Sequence, residues 1–260
     1  MQKIKKLSDL LIGSRSDGTP ILELYKKFAL MSKQEAYAVQ AHNESVLDPR
    51  IGWKIAATSK DGQKHIGVSA PIIGRVTSSM LLKINELVSP KSNRMMVAEP
   101  EFVFVIKRQI EPRDAPFKRE DLFGLVLSMN LGLEFPNSRY TYFERVGELS
   151  LIADNACAHQ FMLGPTVPEV WRELVLADHI VKVQVGTEHH YEGRGSNVLG
   201  DPLNALLWFV NEAAKQKLVI NEGDFVTTGT LTQPVPIRAG DKISSDFGVL
   251  GKMQCQIDKV

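Results

Sequence analysis

The sequence predicts an α+β protein in which a small helical N-terminal lobe precedes a larger, strand-rich core. Helical patterns dominate residues 1–50, whereas strand-like runs dominate from Val76 onward. The C-terminal stretch consists of short strand-like runs that follow glycine turns, such as Asn221–Asp224 and Arg238–Asp241. This alternation is typical of a sandwich or a barrel-like core.

The helices of the N-terminal lobe follow from local signals. Ser8–Ile12 has the pattern of a short helix, and residues 21–28 carry a turn or two of amphipathic pattern. Ser32 and Glu35 stand at N-cap and N3 spacing and predict a capping box. The helix that they open is expected to end before Pro49, because proline disfavours helical conformation at the preceding residue.

The turn-forming residues of segment 66–75 predict a joint between two domains. We therefore expect an N-terminal α/β lobe over residues 1–75 and a catalytic domain over residues 76–260. Within the second domain, helical patterns cover residues 118–129, 168–177 and 202–217. The last of these is the clearest, because an aspartate cap precedes a proline at the first helical position.

Composition and charge exclude several classes of function. Hydrophobic residues make up 43% and charged residues 23% of the chain, as in a globular protein with a sizeable core. The net charge is +1 and the basic residues are scattered, which predicts no nucleic-acid partner. No window reaches the ~20 apolar residues of a membrane span, and no secretion signal follows the basic start, so we expect a cytoplasmic protein without a membrane partner. Cys157 and Cys255 are expected to be buried free thiols.

Glu99 and Glu101 stand at the front of an apolar run, Phe102–Ile106, that predicts a buried strand. Because side chains at i and i+2 point to the same face of a strand, the two carboxylates are expected to project together. Such a pair is costly on an apolar element unless a cation lies between the charges. With Glu134 from a second apolar segment, it would form an all-oxygen site suited to Mg²⁺ or Mn²⁺. The competing interpretations are an exposed acidic strand face and a Glu134 that pairs with Arg139.

Three further segments are candidates for chemistry. Lys54, in a strand-like stretch, is either an edge-strand lysine that reaches water or a proton carrier and carboxylate anchor near the metal. Asp154 and Asn155 lie among small and apolar residues. They either orient Lys54 and bind a substrate oxygen, or form a plain buried turn. The segment Thr227–Thr230 is either an ordinary strand end or a source of amides and a hydroxyl for an anion.

The order and spacing of seven motifs resemble one family. The motifs are Ala98-Glu99-Pro100-Glu101, Leu133-Glu134, Ser138-Arg139, Ala153-Asp154-Asn155-Ala156, Gly193-Arg194-Gly195-Ser196, Leu199-Gly200 and Pro202-Leu203-Asn204-Ala205. On these motifs the chain resembles the fumarylacetoacetate hydrolase superfamily. Within it, the chain is similar to the 2-hydroxypenta-2,4-dienoate (2-keto-4-pentenoate) hydratases and 4-oxalocrotonate decarboxylases of aromatic meta-cleavage pathways. The resemblance extends from about Lys54 to the C-terminus, and more loosely over the N-terminal lobe.

The resemblance implies a mixed β-roll core and a Mg²⁺ or Mn²⁺ site formed by Glu99, Glu101 and Glu134. In the family, the metal chelates the carboxylate and the 2-oxo group of a small 2-oxo acid. Family members also associate into larger hydratase–decarboxylase complexes. We therefore expect a homo-oligomer and an association with a partner enzyme of the same pathway.

Lys54 matches the active-site lysine of the family, and Asp154 and Thr230 match positions that line the site. Together with the local patterns, this resemblance predicts two catalytic residues, Lys54 and Asp154. It predicts three substrate-binding residues, Asn155, Thr230 and Ile72.

The chemistry of a 2-hydroxydienoate agrees with such a site. Ketonisation places negative charge on the 2-oxygen, and a chelated divalent cation stabilises the metal-bound enolate as a Lewis acid. The resulting unsaturated 2-oxo acid accepts water at a remote carbon. When a second carboxylate is present, the same electron sink accepts the electrons of C–CO₂⁻ cleavage. One site can therefore serve hydration or decarboxylation.

A departure from the family pattern bears on that choice. Hydratases of the family usually carry an acid within a Pro-Asp-aromatic-Gly stretch, where this chain has Pro71-Ile72-Ile73-Gly74, and decarboxylases tend to be apolar there. The segment Gly193–Ser196 is closer to the hydratase form. We expect a hydratase that forms a 4-hydroxy-2-oxo acid. A 2-oxo-3-enedioate decarboxylase is the first alternative, and a non-catalytic binding or assembly protein of the family is the second.

Overall fold

The computed structural model describes residues 2–22 and 32–259, so residues 23–28 of the predicted amphipathic segment lie outside the described part. Six α-helices lie in these ranges: α1 (Gln2–Asp17), α2 (Lys33–Val46), α3 (Lys60–Ile66), α4 (Leu122–Leu125), α5 (Glu148–Ala153) and α6 (Pro202–Lys215). The strands are β1 (Arg50–Ala56), β2 (Ile72–Thr77), β3 (Leu81–Leu82), β4 (Val97–Ile106), β5 (Val126–Phe135), β6 (Gln160–Thr166), β7 (Ile180–Val185), β8 (His189–Arg194), β9 (Phe225–Thr227), β10 (Val235–Pro236), β11 (Lys242–Asp246) and β12 (Lys252–Gln256).

The N-terminal helices form where the sequence predicts them, although α1 is longer than the pattern over Ser8–Ile12 indicated. It extends in both directions because Leu7 and Leu11, one turn apart, give it a buried stripe. The serine half of the predicted capping box is confirmed: the Ser32 side chain accepts a hydrogen bond from the backbone N–H of Glu35. α2 ends at Val46, before the proline, as expected.

A buried glutamine attaches the helical lobe to the sheet. Gln40 of α2 is 1% exposed, and its side-chain amide donates to the Ile73 carbonyl of β2 at 2.8 Å and to the Ile152 carbonyl of α5 at 2.5 Å. These bonds join the side chain to backbone acceptors of two different elements. One side chain therefore ties α2 to two elements beside the candidate site described below.

Two sheets form the core. The larger sheet has eight strands in the order β2-β1-β9-β4-β5-β6-β3, and β10 pairs with β4. Its pairs are mixed: β1 runs parallel to β9 and β3 parallel to β6, whereas β4 and β5 are antiparallel. The second sheet has four antiparallel strands in the order β12-β11-β7-β8. A mixed β core with helices at the N-terminus confirms the predicted fold class.

β4 lies in the interior of the larger sheet and pairs with β5, β9 and β10. Phe102, Phe104 and Ile106 of this strand are fully buried. Because β4 is covered on both faces, polar groups at its front end are carried towards the interior rather than onto a solvated face. Cys157 and Cys255 are free and buried, as predicted. Among the described helices, none is long and apolar enough to cross a bilayer.

β1 ends before residue 76 and β2 runs across the predicted boundary, yet both pair within the eight-stranded sheet. β1 is hydrogen-bonded to β2 on one side and to β9 on the other. The sheet therefore draws strands from both sides of the predicted joint. The division into residues 1–75 and 76–260 stays a prediction.

The helices predicted in the second half of the chain have mixed outcomes. The prediction for residues 118–129 is wrong after α4, because residues 126–129 pair with β4 as the first part of β5 and sheet pairing outweighs local helical preference. Residues 168–177 form two short 3₁₀ helices, Glu169–Glu173 and Leu176–Asp178, instead of one α-helix. The predicted start of α6 is confirmed, since the Asp201 side chain accepts from the N–H of Leu203 at 2.8 Å.

Candidate active site

The antiparallel pairing of β4 and β5 brings the three glutamates together. Glu99 stands directly opposite Glu134, and Glu101 stands opposite Gly132. One carboxylate oxygen from each glutamate lies within 4.8 Å of the other two. The expected juxtaposition is therefore observed, and the role of these residues as metal ligands stays a prediction.

The cluster is buried, so the alternative of a solvated acidic strand face does not fit. Glu101 is fully buried and Glu134 is 3% exposed, whereas Glu99 is partly exposed and marks the open side. Glu101 Oε2 accepts the backbone N–H of Gly229 at 2.8 Å. Glu101 Oε1 and Glu134 Oε2 are buried and accept no hydrogen bond from the residues that the structure describes. Unpartnered buried carboxylate oxygens fit the coordination of a hard divalent cation.

Lys54 faces the cluster from β1. It is 3% exposed, and its Nζ lies 3.1 Å from Glu134 Oε1 and donates to the Ala156 carbonyl at 3.0 Å. β1 is an interior strand, so the alternative of an edge-strand lysine that reaches water is excluded. The alternative pairing of Glu134 with Arg139 is not observed either, because Arg139 pairs with Asp154.

The electrostatics of the cluster favour a cation. Burial, reinforced by repulsion from Glu134, raises the pKa of Glu99 to about 7 and the pKa of Glu101 well above its ordinary value. Burial also raises the pKa of Glu134, although Lys54 opposes the shift. Burial disfavours the charge on Lys54, but attraction to Glu134 and the other two glutamates outweighs it and raises the lysine pKa. One ammonium faces three carboxylates, and an oxygen-preferring divalent cation fits the remaining charge.

These pKa shifts predict how stability and metal binding depend on pH. A carboxyl whose pKa is raised by folding stabilises the folded state below its ordinary value of 4.5, and this contribution is lost as the pH rises through about 7 for Glu99. Metal-free protein is therefore expected to lose thermal stability between pH 5 and pH 8. Mg²⁺ displaces the protons, so its affinity should rise over the same range and its binding should release protons. Titration calorimetry in buffers of different ionisation enthalpy measures the Mg²⁺ affinity and the number of protons released. Equal Mg²⁺ affinity at pH 5.5 and pH 8 would contradict the prediction.

Asp154 pairs with other residues than Lys54 in the described contacts. It is 1% exposed, accepts the Ser138 hydroxyl at 2.6 Å, and pairs with the Arg139 guanidinium. Its connection to Lys54 runs through the next residues, since the carbonyl of Ala156 accepts the lysine N–H. The orientation of Lys54 by Asp154 stays a prediction.

The residues after Asp154 form a left-handed turn. Asn155, Ala156 and Cys157 have φ angles of 58°, 51° and 61°, a region that residues other than glycine rarely adopt. Burial raises the pKa of Cys157 to about 12, so its thiol is protonated at neutral pH and is not an activated nucleophile. The unusual backbone conformation directs the Ala156 carbonyl at Lys54.

The predicted substrate-binding residues occupy different places. The Asn155 side chain accepts the backbone N–H of Arg75 at 2.7 Å and donates to the Arg75 carbonyl at 2.8 Å. Thr230 is partly exposed, follows the glycine that binds Glu101, and donates to the Thr232 carbonyl at 3.1 Å. Ile72 is 1% exposed at the start of β2. The contact of Asn155, Thr230 and Ile72 with a substrate stays a prediction.

Two backbone groups contact the cluster and its lysine, and local sequence reasoning missed one of them, the Ala156 carbonyl. Gly229 has φ +95°, and a Cβ there would lie 2.1 Å from Thr58 Oγ1, so the amide that binds Glu101 requires glycine. The interpretation of Thr227–Thr230 as a source of amides for an anion is consistent with this bond. No signal in the sequence indicated the Ala156 carbonyl, because any residue type carries one.

Comparison with known proteins shows which family the chain resembles. The family model "Fumarylacetoacetate (FAA) hydrolase C-terminal" matches residues 54–258. The chain is 27% identical over 248 residues to 2-keto-4-pentenoate hydratase 1 of Dechloromonas aromatica, covering 94% of this chain and 93% of the relative. It is also 27% identical over 264 residues to the TodF product hydratase of Pseudomonas putida, covering 98% and 96%.

A solved structure shares the fold. The 4-oxalocrotonate decarboxylase from Pseudomonas putida G7, complexed with magnesium and adipate, aligns with a TM-score of 0.88. The alignment covers 98% of this chain and 97% of that chain at 24% identity. This likeness confirms the predicted fold, including the helical N-terminal part.

Proposed function

The chain belongs to the fumarylacetoacetate hydrolase family, and we propose its function on that basis. Within that family, we propose that it is a divalent-metal-dependent lyase. It hydrates a 2-hydroxy-2,4-dienoate, the enol of a 2-keto-4-pentenoate, to a 4-hydroxy-2-oxo acid. The hydratase relatives, aligned over nearly the whole chain, support this reaction class.

The observation that carries the proposal is the buried cluster of three glutamates with one lysine. Its carboxylate oxygens lie within 4.8 Å of one another, and the Lys54 ammonium lies 3.1 Å from Glu134. A structural ion pair would need one carboxylate for one ammonium, so two carboxylates remain in excess. Burying these excess carboxylates costs free energy. Groups kept in such an unfavourable environment are typical of functional sites.

Glu99, Glu101 and Glu134 would hold the cation, and Lys54 would carry the proton. When bound, a divalent cation supplies a Lewis acid for the negative charge that develops on the 2-oxygen of the substrate. The Lys54 contacts with Glu134 and Ala156 use two of its three ammonium donors. The third donor is free of these contacts and can pass a proton to the dienol carbon chain. Proton transfer by a positioned side chain contributes about 10²- to 10⁴-fold to rate.

The metal, the assembly and the cellular setting are further parts of the proposal. We propose Mg²⁺ or Mn²⁺, because the donors are carboxylates without a histidine or cysteine ligand in the cluster. We propose a homo-oligomer, because Phe123 and Leu127 leave apolar surface exposed near Trp171. It would work in the cytoplasm on a small 2-oxo acid, in association with a partner enzyme of its pathway, and its two free thiols fit a reducing compartment.

Decarboxylation of a 2-oxo-3-enedioate is the second candidate, and Ile72 favours it. This residue stands where hydratases of the family usually carry an acid, and its side chain is 1% exposed. Two positions further along β2, Gly74 pairs with Lys54 across the strands. The Ile72 side chain has no acid or base with which to activate a water molecule, so another residue would have to do so in a hydratase. The apolar Ile72 therefore favours decarboxylation, whereas the hydratase relatives support hydration.

Two substrates distinguish the candidates. Purified protein with Mg²⁺ is mixed with 2-hydroxypenta-2,4-dienoate and, separately, with 2-oxohex-3-enedioate. Hydration predicts loss of dienoate absorbance without release of CO₂, and decarboxylation predicts CO₂ from the dicarboxylate. The matched controls are the same protein treated with a chelator and the Glu101→Gln variant. Inertness toward both substrates would contradict the lyase and favour a binding or assembly role.

A further inference from the structure

We infer that the left-handed turn Asn155–Cys157 is a positioning device for the Lys54 ammonium, with Asn155 and Gly74 as its positioning residues. The inference rests on the proposed function, because it assigns these residues a task in the reaction that Lys54 serves. Neither residue touches the three glutamates in the described contacts. Both act instead on the position of the Lys54 ammonium.

The turn is held in an unfavourable backbone conformation. Ala156 has φ 51° and ψ 38°, between Asn155 and Cys157 with φ values of 58° and 61°. Asparagine visits this region with modest cost, whereas alanine and cysteine rarely do. Such conformations persist only where the surroundings over-determine them. The consequence of the conformation is concrete: it aims the Ala156 carbonyl at Lys54 Nζ, 3.0 Å away.

Independent bonds hold the turn from three directions. The Asn155 side chain clamps both backbone groups of Arg75 in β2, at 2.7 and 2.8 Å. The Cys157 carbonyl accepts the backbone N–H of Asn137 at 2.9 Å. On the third side, Asp154 pairs with the buried guanidinium of Arg139. The clamp ties the turn to β2, the strand that pairs with the lysine strand.

Gly74 lets the lysine and the turn approach each other. It stands directly opposite Lys54 in the β1–β2 pair. A Cβ at this position would lie 2.6 Å from the Asn155 carbonyl oxygen and 2.9 Å from Lys54 Cγ and Cδ. Any side chain here must therefore push the turn or the lysine stem out of place. The φ angle of Gly74 is not in the left-handed region, so close approach is the reason for glycine.

The lysine is thus held between two acceptors of different kinds. Glu134 attracts it from the cluster side at 3.1 Å, and the Ala156 carbonyl fixes it from the turn side. A carboxylate alone would leave the long side chain free to change rotamer, whereas two acceptors define one ammonium position. Proton transfer depends on such placement within hydrogen-bond reach.

The test uses Asn155→Ala and Gly74→Ala, with Gly124→Ala as the matched control because a Cβ there meets nothing within 4 Å. We expect kcat for the dienoate to fall about 10- to 100-fold in both variants, as for groups that orient active-site ligands. The substrate KM, and the Mg²⁺ dissociation constant from calorimetry, should change less than about threefold. Crystal structures should show Lys54 Nζ displaced from the Ala156 carbonyl.

Three results would overturn the inference. The first is a kcat within twofold of wild type in both variants, and the second is an unmoved Lys54 Nζ in their crystal structures. The third is a fall in Mg²⁺ affinity equal to the fall in kcat, which would mean general damage to the site. If Gly74→Ala does not fold, Asn155→Ala decides the matter by the same measurements. If wild type is inert toward the dienoate, the proposed function fails, whereas the lysine position in the crystal structures still tests the positioning.

Discussion

Replacing Glu101 with glutamine is expected to abolish metal-dependent activity and to weaken Mg²⁺ binding by at least about 100-fold. Two unit charges 4 Å apart interact by about 4 kcal/mol at an effective dielectric constant of 20, so removal of one carboxylate charge from the site is a large loss. Glutamine keeps the shape of the side chain and can still accept the Gly229 N–H that Glu101 accepts at 2.8 Å. The loss is therefore one of charge, and calorimetric Mg²⁺ titration with the dienoate assay measures it.

Stability provides the internal check on this substitution. Burial and repulsion from Glu134 raise the pKa of Glu101 well above its ordinary value, so the metal-free protein gains nothing from its charge. Without metal, Glu101→Gln should melt at the same temperature as wild type or above it. The stabilisation that wild type gains from Mg²⁺, about 2.7 kcal/mol at 100 times the dissociation constant, should disappear. The exposed Glu222→Gln serves as control. A variant that keeps both Mg²⁺ binding and activity would rule out the carboxylate site.

Replacing Lys54 with methionine is expected to reduce kcat by about 10²- to 10⁴-fold, the range for loss of a general acid or base. Methionine fills the volume of the lysine stem but carries no proton. The substitution also leaves Glu134 without the ammonium that lies 3.1 Å from it. Breaking a buried pair by removing one partner costs about 3 kcal/mol or more. Stopped-flow or steady-state assays measure the first effect, and chemical denaturation of metal-free protein measures the second.

The stability effect of Lys54→Met should depend on pH in a definite direction. Without the ammonium, the raised carboxyl pKa values of the cluster are expected to rise further, since attraction to Lys54 lowers all three of them in wild type. The variant should therefore be most destabilised at pH 8, where the carboxyls ionise, and nearly equal to wild type at pH 5. The exposed Lys83→Met is the control and should show neither effect. A pH-independent difference would mean that lost packing, not lost charge, causes the destabilisation.

Much of the fold could be predicted because its signals are local. The helix caps at Ser32 and Asp201 depend on hydrogen bonds among a few adjacent residues. The same holds for the turns that end at Asp224 and Asp241. The helix predicted over residues 118–129 failed for the opposite reason. Residues 126–129 become a strand because β4 offers them a pairing partner, and that partner lies far away in sequence.

The same contrast between local signals and long-range contacts applies to the candidate site. By itself, the sequence determined that Glu99 and Glu101 share one face of an apolar strand, because the strand period of two is a property of the backbone. It also supplied Glu134 in a second apolar segment and Lys54 in a strand-like stretch as candidates, and its ordered motifs predicted the family. These are statements about which side chains are present and which way a single element presents them.

Only the tertiary structure decided how those side chains are held. It placed Glu134 opposite Glu99, brought the Gly229 amide to Glu101, and gave Lys54 the Ala156 carbonyl as a second acceptor. It also paired Asp154 with Arg139 instead of with Lys54. The physical reason is that these contacts depend on strand register and on backbone groups, which every residue carries. Register and backbone direction are fixed when distant segments pack together, so no local pattern of residue types encodes them.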